Sequence, residues 1–270
     1  MIYLYKIRWS GVKVNLIYCL VLVFATARAF GVEAPPTGRK QSLSDIHEYI
    51  SAQEDGYAGW LWNDQVKPTV KSGFDTTGLS LIFGMTAATV AAHQEDEKIR
   101  NEYGDNKGVK QGAADVGAVL GSGGPGIAIA LFQLYADPYE GLAHGRALAL
   151  TAGTHISIAL AANRKRPNGK TFSFPSGHMS SSFATATSLA YSYGPLAGVP
   201  AYALASWIGF TRIANNAHWL SDLVLGAGLG LFWGRASANA DSKPSATSYF
   251  PVHETEGGVT KWGMGFKRSF

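Results

Sequence analysis

The sequence predicts an all-α protein, a helical bundle of about six core helices followed by a short C-terminal β-hairpin. Long uncharged stretches rich in Ala, Gly, Leu and Thr recur along the chain, and their lengths suit helices. Polar and apolar residues rarely alternate with period two before the C-terminal tail. A chain of 270 residues can bury a core without disulfides, and its single cysteine, Cys19, forms none within the chain.

The first 29 residues are predicted to be a secretory signal peptide. Lys6, Arg8 and Lys13 form a charged N-terminal region, the apolar stretch 14–25 follows, and residues 27–29 read Ala-Arg-Ala, a cleavage site. The apolar stretch is short for a bilayer span, and an uncleaved membrane anchor is the alternative. We therefore expect a bacterial protein that is exported to the periplasm.

The positive charge of the chain belongs to this leader. Lys6, Arg8, Lys13 and Arg28 are not balanced by any acidic residue among residues 1–29, and they account for the formal net charge of +4. The remaining chain is formally neutral, so its charge gives no support for nucleic-acid binding, and we expect no nucleic-acid partner.

Residues 30–75 are predicted to be a linker and an N-terminal helical segment. Gly, Pro, Ser, Lys and Arg dominate residues 31–44, and an amphipathic helix is expected at 45–50. The bundle is predicted to span residues 76–240, in which the long stretches with few or no charges are about 76–92, 116–135 (broken at 121–126), 147–162, 178–193, 200–214 and 217–234.

Three connecting segments complete this prediction. The charged segment 95–110 is interpreted as a solvated loop, and Pro195 and Pro200 are expected to divide one long apolar run into two helices. The tail, residues 241–270, is predicted to form two short strands around Gly257-Gly258, packed as a hairpin on the bundle.

The helices are long enough for either a soluble core or a bilayer. They are heavy in small residues, and the mean hydropathy of +0.01 is low for a protein with many membrane spans. We favour a compact periplasmic bundle that touches or partly enters a membrane, and a polytopic membrane protein is the alternative.

Two histidines, two arginines and one carboxylate stand out in a short part of the chain: Arg166, His178, Arg212, His218 and Asp222. The spacing of His218 and Asp222 predicts that they share a helix face, so that the carboxylate holds one imidazole nitrogen and leaves the other free as a nucleophile. Arg212 is expected to reach the same site from the preceding helix, and Arg166 offers a planar fork for phosphate oxygens. These groups predict a site that binds a phosphate and attacks its phosphorus.

Residues 175–178, Pro-Ser-Gly-His, predict the start of a helix. Proline is tolerated in a first turn, and glycine lets the backbone approach a ligand closely. Free N–H groups and the positive end of the helix dipole make such a start an anion site, with His178 beside the anion.

Together these residues resemble the signature of the type 2 phosphatidic acid phosphatase and vanadium haloperoxidase superfamily, whose motifs read KxxxxxxRP, PSGH and SRxxxxxHxxxD. The second motif is complete at 175–178, and the third runs over 211–222 with Thr211 in place of serine. The first has Arg166 and Pro167, but Ala159 stands where the family has lysine. The helical pattern over roughly 110–236 also resembles the family.

The resemblance implies a role for each residue. His218 would be the nucleophile that forms a phosphohistidine, Asp222 would orient it, and His178 would protonate the leaving oxygen. The phosphate oxygens would be held by Arg166, Arg212 and the backbone N–H groups of Ser176 and Gly177. The family mechanism requires no metal, and no cofactor is expected.

Ala159 cannot supply the charge of the family's lysine. We expect Lys170, in the loop before residue 175, or Arg164 to compensate for it. If neither does, activity would be low, altered or lost, because a single charge-stabilising donor is worth about 3 to 4 kcal/mol.

Four other histidines are interpreted as structural residues without a chemical role: His93, His144, His155 and His253. His218 with Asp222 as half of a metal site is disfavoured, since no His, Cys or acidic cluster in the nearby sequence completes a ligand set.

The sequence therefore predicts an exported, metal-independent histidine phosphatase that hydrolyses phosphomonoesters or diphosphates. Its partner is a phosphate-bearing substrate, whether a lipid phosphate, a polyprenyl diphosphate or a soluble ester, and membrane association is left open. The alternatives are a vanadate-dependent haloperoxidase and a phosphate-binding protein that has lost activity.

Overall fold

The structure, a computed structural model, describes residues 43–52, 54–240, 246–256 and 259–269. The predicted signal peptide, 1–29, and most of the linker lie outside these residues. The chain divides into a helical unit that ends at Ala240 and a second unit, Asp241–Phe270. The helical unit contains α1 (Leu43–Ser51), α2 (Gly56–Trp60), a π-helical stretch (Leu61–Val66), α3 (Lys67–Gly73), α4 (Thr76–Gln94), α5 (Asp96–Tyr103), α6 (Gln111–Leu120), α7 (Gly124–Ala136), α8 (Pro138–Ala162), α9 (Gly177–Tyr193), α10 (Pro195–Ala214) and α11 (Leu220–Ala240).

Each long uncharged stretch is helical, which confirms the helical part of the fold-class prediction for the described residues. The break expected at 121–126 separates α6 from α7, and Gly123 there has a φ of +89°, a conformation that favours glycine. The amphipathic helix expected at 45–50 is confirmed as α1.

The solvated loop predicted at 95–110 is wrong, because residues Asp96–Tyr103 form α5. Ile99 and the carboxylate of Asp96 are buried against the bundle, whereas Glu97 and Lys98 are exposed. The charged residues of this segment therefore lie mainly on one face of a helix. The opposite face packs against the bundle.

The expected break at two prolines is correct for only one of them. Pro195 is the first residue of α10, after Gly194 with a φ of +75°, but Pro200 lies inside that helix. Pro200 removes one backbone N–H donor without ending the helix.

The bundle is built around the contact of α9 with α11. Both helices pack on α10 in one hydrophobic cluster, to which α9 contributes Phe183, α10 contributes Tyr202 and α11 contributes Leu223. Helix α8 also packs on α9 and α11. Helices α3 and α4 cover α11, α6 covers α10, and α7 covers α8. The first turns of α9 and α11 are thereby held side by side.

Small residues permit this close approach. A Cβ added to Gly226 of α11 would lie 2.6 Å from the carbonyl oxygen of Ser176, and one added to Gly230 would lie 2.5 Å from the carbonyl oxygen of Ser180. Any larger residue would push the two helices apart, so these glycines set the distance between the start of α9 and the start of α11.

Within the described residues, none of the helices taken singly has both the length and the apolar composition of a bilayer span. Helices α6 and α7 meet that test only as a pair, with a bend of 41° between them.

The second unit contains two antiparallel strands, β1 (Ala246–Glu256) and β2 (Val259–Ser269), with Ala246 paired to Ser269 and Glu256 to Val259. A short hairpin packed on the bundle stays a prediction, as do the domain boundaries. The side chain of His253 lies outside the described part of the chain.

Candidate active site

The residues singled out from the sequence come together where α9 and α11 begin and α10 ends. Arg164, Arg166 and Ser173 lie in the segment between α8 and α9, and Ser176 caps α9. Arg212 is in the last turn of α10, His218 precedes α11, and Asp222 is in the first turn of α11.

The predicted helix start at residues 175–178 is confirmed. Ser176 is the N-cap of α9, and its Oγ accepts a hydrogen bond from the N–H of Met179 at 3.4 Å. The N–H of Ser176 itself donates to the carbonyl oxygen of Asp222 at 2.9 Å. That N–H is therefore not free for a phosphate, which corrects the expectation for Ser176; Gly177 remains the candidate because first-turn N–H groups have no partner inside the helix.

His218 and Asp222 do not share a helix face, so that prediction is wrong. Helix α11 begins at Leu220, after His218, and the Nδ1 of His218 lies 3.6 Å from Oδ2 of Asp222. The carboxylate instead accepts the N–H of Trp219 at 2.8 Å, as an acidic residue in a first turn does when it reaches back to cap its own helix.

The backbone fixes the tautomer of His218. Its Nδ1 donates to the carbonyl oxygen of Ser173 at 2.8 Å, and because a carbonyl can only accept, the proton resides on Nδ1. Nε2 then carries the lone pair. The side chain is 2% exposed, and Nε2 has no hydrogen-bond partner within the described part of the chain. A buried, unpaired ring nitrogen is a strong indication of a missing ligand.

Ser173, which the sequence analysis missed, joins the two residues of this pair. Its carbonyl accepts from His218, and its Oγ donates to Oδ2 of Asp222. Asp222 is fully buried, and it is neutralised by Arg164, whose Nη1 lies 2.7 Å from Oδ1. Asp222 thus orients His218 largely through Ser173. This serine lies outside the sequence motifs, so their spacing did not point to it.

Arg164 is occupied by carboxylates. Besides Asp222 it contacts Oδ2 of Asp96 at 2.8 Å and Oγ of Ser221 at 2.7 Å, and its guanidinium lies 5.4 Å from the ring centre of Trp219. We therefore no longer expect Arg164 to compensate for Ala159, since its charge already balances two acidic groups.

Asp96 is a second residue that the sequence analysis missed. Its Oδ1 accepts the N–H of Ser221 at 2.9 Å, and its Oδ2 accepts the Oγ of Ser221 and the Nη2 of Arg164. A carboxylate from α5 therefore caps α11 beside Asp222. The signal was present in the sequence, as an acidic residue that opens a helix, but the surrounding charges concealed it.

We expect Asp96→Ala to lower both stability and phosphate release. The change leaves the N–H of Ser221 without its acceptor and frees one side of Arg164, at a cost of about 1 to 3 kcal/mol in the free energy of unfolding. Thermal unfolding and turnover measure the two effects. The exposed neighbour Glu97→Gln is the matched control. Unchanged stability and unchanged turnover in Asp96→Ala would show that this network does not support the site.

The two arginines that are predicted to bind phosphate both lie at the site. Arg212 is 4% exposed, and its guanidinium donates to Thr211 Oγ1 and to the carbonyl of Ala114. Burial lowers the pKa of Arg212, yet arginine stays charged in proteins. Arg166 has a buried Nε without a partner among the described residues. Its Nη2 donates to the carbonyl oxygen of Phe172 at 3.4 Å, so the Nε side of the guanidinium is the part that is available to an anion.

His178 lies beside His218, with 6.1 Å between the ring centres. Burial lowers the pKa of His178 to about 4, and the positive charges of Arg212 and Arg166 act in the same direction. A bound phosphate would offset these charges and raise that pKa. The positive charge of this cluster therefore favours the binding of an anion.

His155 belongs to the same cluster, although the sequence analysis interpreted it as structural. Burial lowers the pKa of His155, as does the charge of Arg166. Its ring packs against the start of α9, where a Cβ added to Gly177 would lie 2.8 Å from Cε1. No spacing rule pointed to it, because only the packing of α8 against α9 brings it to the site.

A polar pocket of about 340 Å³ opens beside Arg166. Its walls are rich in amides and contain a second cation, Lys170: they comprise Asp105, Asn106, Gln111, Arg166, Asn168, Lys170, Ala214, Asn215, Asn216 and Ala217. Lys170 shares this pocket with Arg166 and so remains a candidate to compensate for Ala159. In the part of the chain that the structure describes, no group of three or more His, Cys, Asp or Glu side chains is arranged to hold a metal ion.

The fold and the site define a helical protein with a cluster of histidines and arginines where two helices begin. Residues 141–244, which cover most of α8 and all of α9, α10 and α11, match the PAP2 superfamily. This match confirms the resemblance to the type 2 phosphatidic acid phosphatase superfamily.

One curated relative carries a more particular name. The lipid A 1-phosphatase of Porphyromonas gingivalis is 40% identical over 91 residues, which are 32% of this chain and 20% of that protein. The chain thus spans only about a fifth of the length of this relative. No solved structure matches the chain.

Proposed function

We propose that this protein is a phosphatase of the PAP2 type that removes a phosphate from a lipid through a phosphohistidine. The observation that carries the proposal is the buried, unpaired Nε2 of His218, which lies in a cluster with His178, Arg166 and Arg212. The relative named a lipid A 1-phosphatase supports the lipid substrate.

The chemistry has two steps. In the first, the lone pair on Nε2 of His218 forms a bond to phosphorus, the bond from phosphorus to the leaving oxygen breaks, and His178 gives that oxygen a proton. In the second, His178 takes a proton from water, whose oxygen bonds to phosphorus as the bond to Nε2 breaks. Inorganic phosphate leaves, and both histidines return to their starting states.

Charge stabilises both steps. Arg166, Arg212 and the N–H of Gly177 would hold the equatorial oxygens at the positive end of α9. The carbonyl of Ser173 and the carboxylate of Asp222 stabilise the positive charge that develops on His218.

Two features of the structure favour a lipid. Large apolar side chains are exposed on four helices, with Phe83 on α4 at 78%, Phe132 on α7 at 70%, Ile156 on α8 at 51% and Leu196 on α10 at 92%. Exposed apolar surface of this kind suits acyl chains or a membrane. The polar pocket beside Arg166 suits the hydrophilic part of the same lipid.

The location of the protein is part of the proposal. The charged and apolar leader at residues 1–29 favours export to the periplasm, and the exposed apolar side chains favour association with a membrane there. Cell fractionation with a C-terminal tag tests both points. Recovery of an uncut chain in the cytoplasm would overturn the proposed export.

Phosphate release from the full-length protein tests the activity. The substrates are phosphatidic acid, a polyprenyl diphosphate and lipid A in vesicles, with glucose 6-phosphate and glycerol phosphate as soluble controls. We expect faster release from the lipids. Release from soluble esters alone would overturn the lipid assignment, vanadate-dependent bromination would favour a haloperoxidase, and phosphate binding without turnover would favour a binding protein.

We expect hydrolysis to survive EDTA and to be inhibited by orthovanadate. Arginines and N–H groups supply the positive charge in the proposed site, and vanadate takes the five-coordinate geometry of phosphorus under attack. Rates with and without chelator, followed by addition of Mg²⁺ or Zn²⁺, measure this. Loss of activity in EDTA and its recovery with added metal would contradict the proposed mechanism.

A further inference from the structure

His155 lies against the start of α9. A Cβ built on Gly177 would lie 2.8 Å from Cε1 of His155 and 3.0 Å from Nε2, which is closer than packed side chains approach. Glycine at 177 therefore makes room for this imidazole. The ring edge lies where the first-turn N–H groups of α9 are free for an anion.

The ring has no competing role. Neither ring nitrogen of His155 has a hydrogen-bond partner within the described residues, and His155 is only partly buried. The titratable and charged groups that face it are His218, from the loop before α11, and Arg166, from the segment after α8. Burial lowers the pKa of His155 and the charge of Arg166 acts in the same direction, so at neutral pH the imidazole is neutral and one ring nitrogen is an N–H donor.

His155 also stands where the side chain of a lysine at position 159 would go. The two positions are one helical turn apart on nearly the same face of α8, separated by about 6 Å along the axis. Helical side chains lean toward the N-terminus of their helix, so a lysine at 159 would cover the turn that carries His155. Ala159 is 7% exposed and leaves that space to the imidazole.

We propose that His155 is a phosphate-binding residue, which donates a hydrogen bond to a phosphate oxygen beside Gly177 and occupies the place of the lysine that this chain lacks. The proposal rests on the proposed phosphatase function and names a contact of the same site. It assigns the compensation for Ala159 to His155, ahead of Lys170 and Arg164.

His155→Ala should weaken the apparent affinity for substrate and for orthovanadate by about 10- to 100-fold, the usual loss when a hydrogen bond to a charged group is removed. His155→Gln keeps an N–H donor of similar reach and should stay within about tenfold of the wild type. The control is Ser157→Ala on the same helix, where the hydroxyl bonds only to the carbonyl of Gly153. Melting temperatures establish that each variant folds.

A double variant separates phosphate binding from a packing role. In the wild-type background, Ala159→Lys should bring no gain, because the ammonium meets His155 and is repelled by Arg166. In the His155→Ala background the space is free, and Ala159→Lys should restore orthovanadate affinity by at least about tenfold. A residue that only fills space would not be replaced by a cation from the next turn.

Each outcome is decisive. Wild-type affinity for substrate and orthovanadate in both folded His155 variants overturns the proposal while leaving the phosphatase intact. If His155→Ala fails to fold, His155→Leu takes its place, because leucine fills the space without an N–H donor; we expect the same loss of affinity, and wild-type affinity in that variant overturns the proposal. If the wild type releases no phosphate from any substrate, the phosphatase proposal fails, and calorimetric binding of inorganic phosphate still tests His155. Absence of any such binding overturns both.

Discussion

His218→Ala should abolish phosphate release while the protein stays folded. The change removes Nε2 of His218, a buried ring nitrogen that carries a lone pair and has no hydrogen-bond partner among the described residues. Removing a covalent nucleophile costs on the order of 10⁴-fold in kcat or more. Steady-state phosphate release measures the loss, and a melting curve checks the fold.

The same variant tests the covalent intermediate. Rapid acid quench of the wild type during turnover should leave a phosphate adduct on the peptide that contains His218, detectable by mass, and His218→Ala should lack it. His47→Ala is the control, because this exposed imidazole bonds to the hydroxyl of Tyr57 on the protein surface. Turnover by His218→Ala within tenfold of the wild type would rule out the mechanism.

His178→Ala should have an effect that depends on the leaving group. A lipid or alkyl phosphate needs its leaving oxygen protonated, so the rate should fall about 10²- to 10⁴-fold. Dinitrophenyl phosphate releases dinitrophenolate, which is a stable anion without protonation. Its hydrolysis should therefore fall about tenfold or less. Comparing kcat for the two classes of ester in wild type and variant measures the difference. An equal loss on both would contradict the role of His178 as the acid.

The pH dependence of the wild type follows from the same residue. His178 must be protonated to act as an acid, and burial lowers its pKa to about 4 in the free protein. Its protonated fraction then falls about tenfold per pH unit above that value, and kcat/KM should fall as pH rises through the neutral range. Bound phosphate raises the pKa, so kcat should hold to a higher pH. If kcat and kcat/KM have the same dependence on pH, bound phosphate does not change the pKa of His178.

The motif residues could be found from the sequence because their spacing follows the backbone. The run Pro-Ser-Gly-His at 175–178 predicts a helix start from local chemistry alone, and α9 begins there. The placement of Arg212 at the end of the preceding helix was equally local. The helical bundle also follows from composition, since the uncharged stretches form helices wherever they occur.

Residue spacing gave a wrong prediction where a helix begins between the two residues. His218 and Asp222 are four residues apart, but α11 begins between them, and the carboxylate caps the helix instead of holding the imidazole directly. Local sequence does not show whether such a pair precedes or continues a helix. The N–H of Ser176 was misjudged for a related reason, since its partner is a carbonyl of α11 that only packing brings near.

The sequence by itself determined the helical class, the start of α9 and the set of charged and imidazole groups that fit a phosphate. Only the tertiary structure decided that Ser173 and Asp96 hold this set in place, that Arg164 is occupied by carboxylates, and that His155 lies at the site. The physical reason is distance along the chain: helix starts and caps depend on neighbouring residues. These other contacts join residues many positions apart, and only the packing of the helices and their connecting segments brings those residues together.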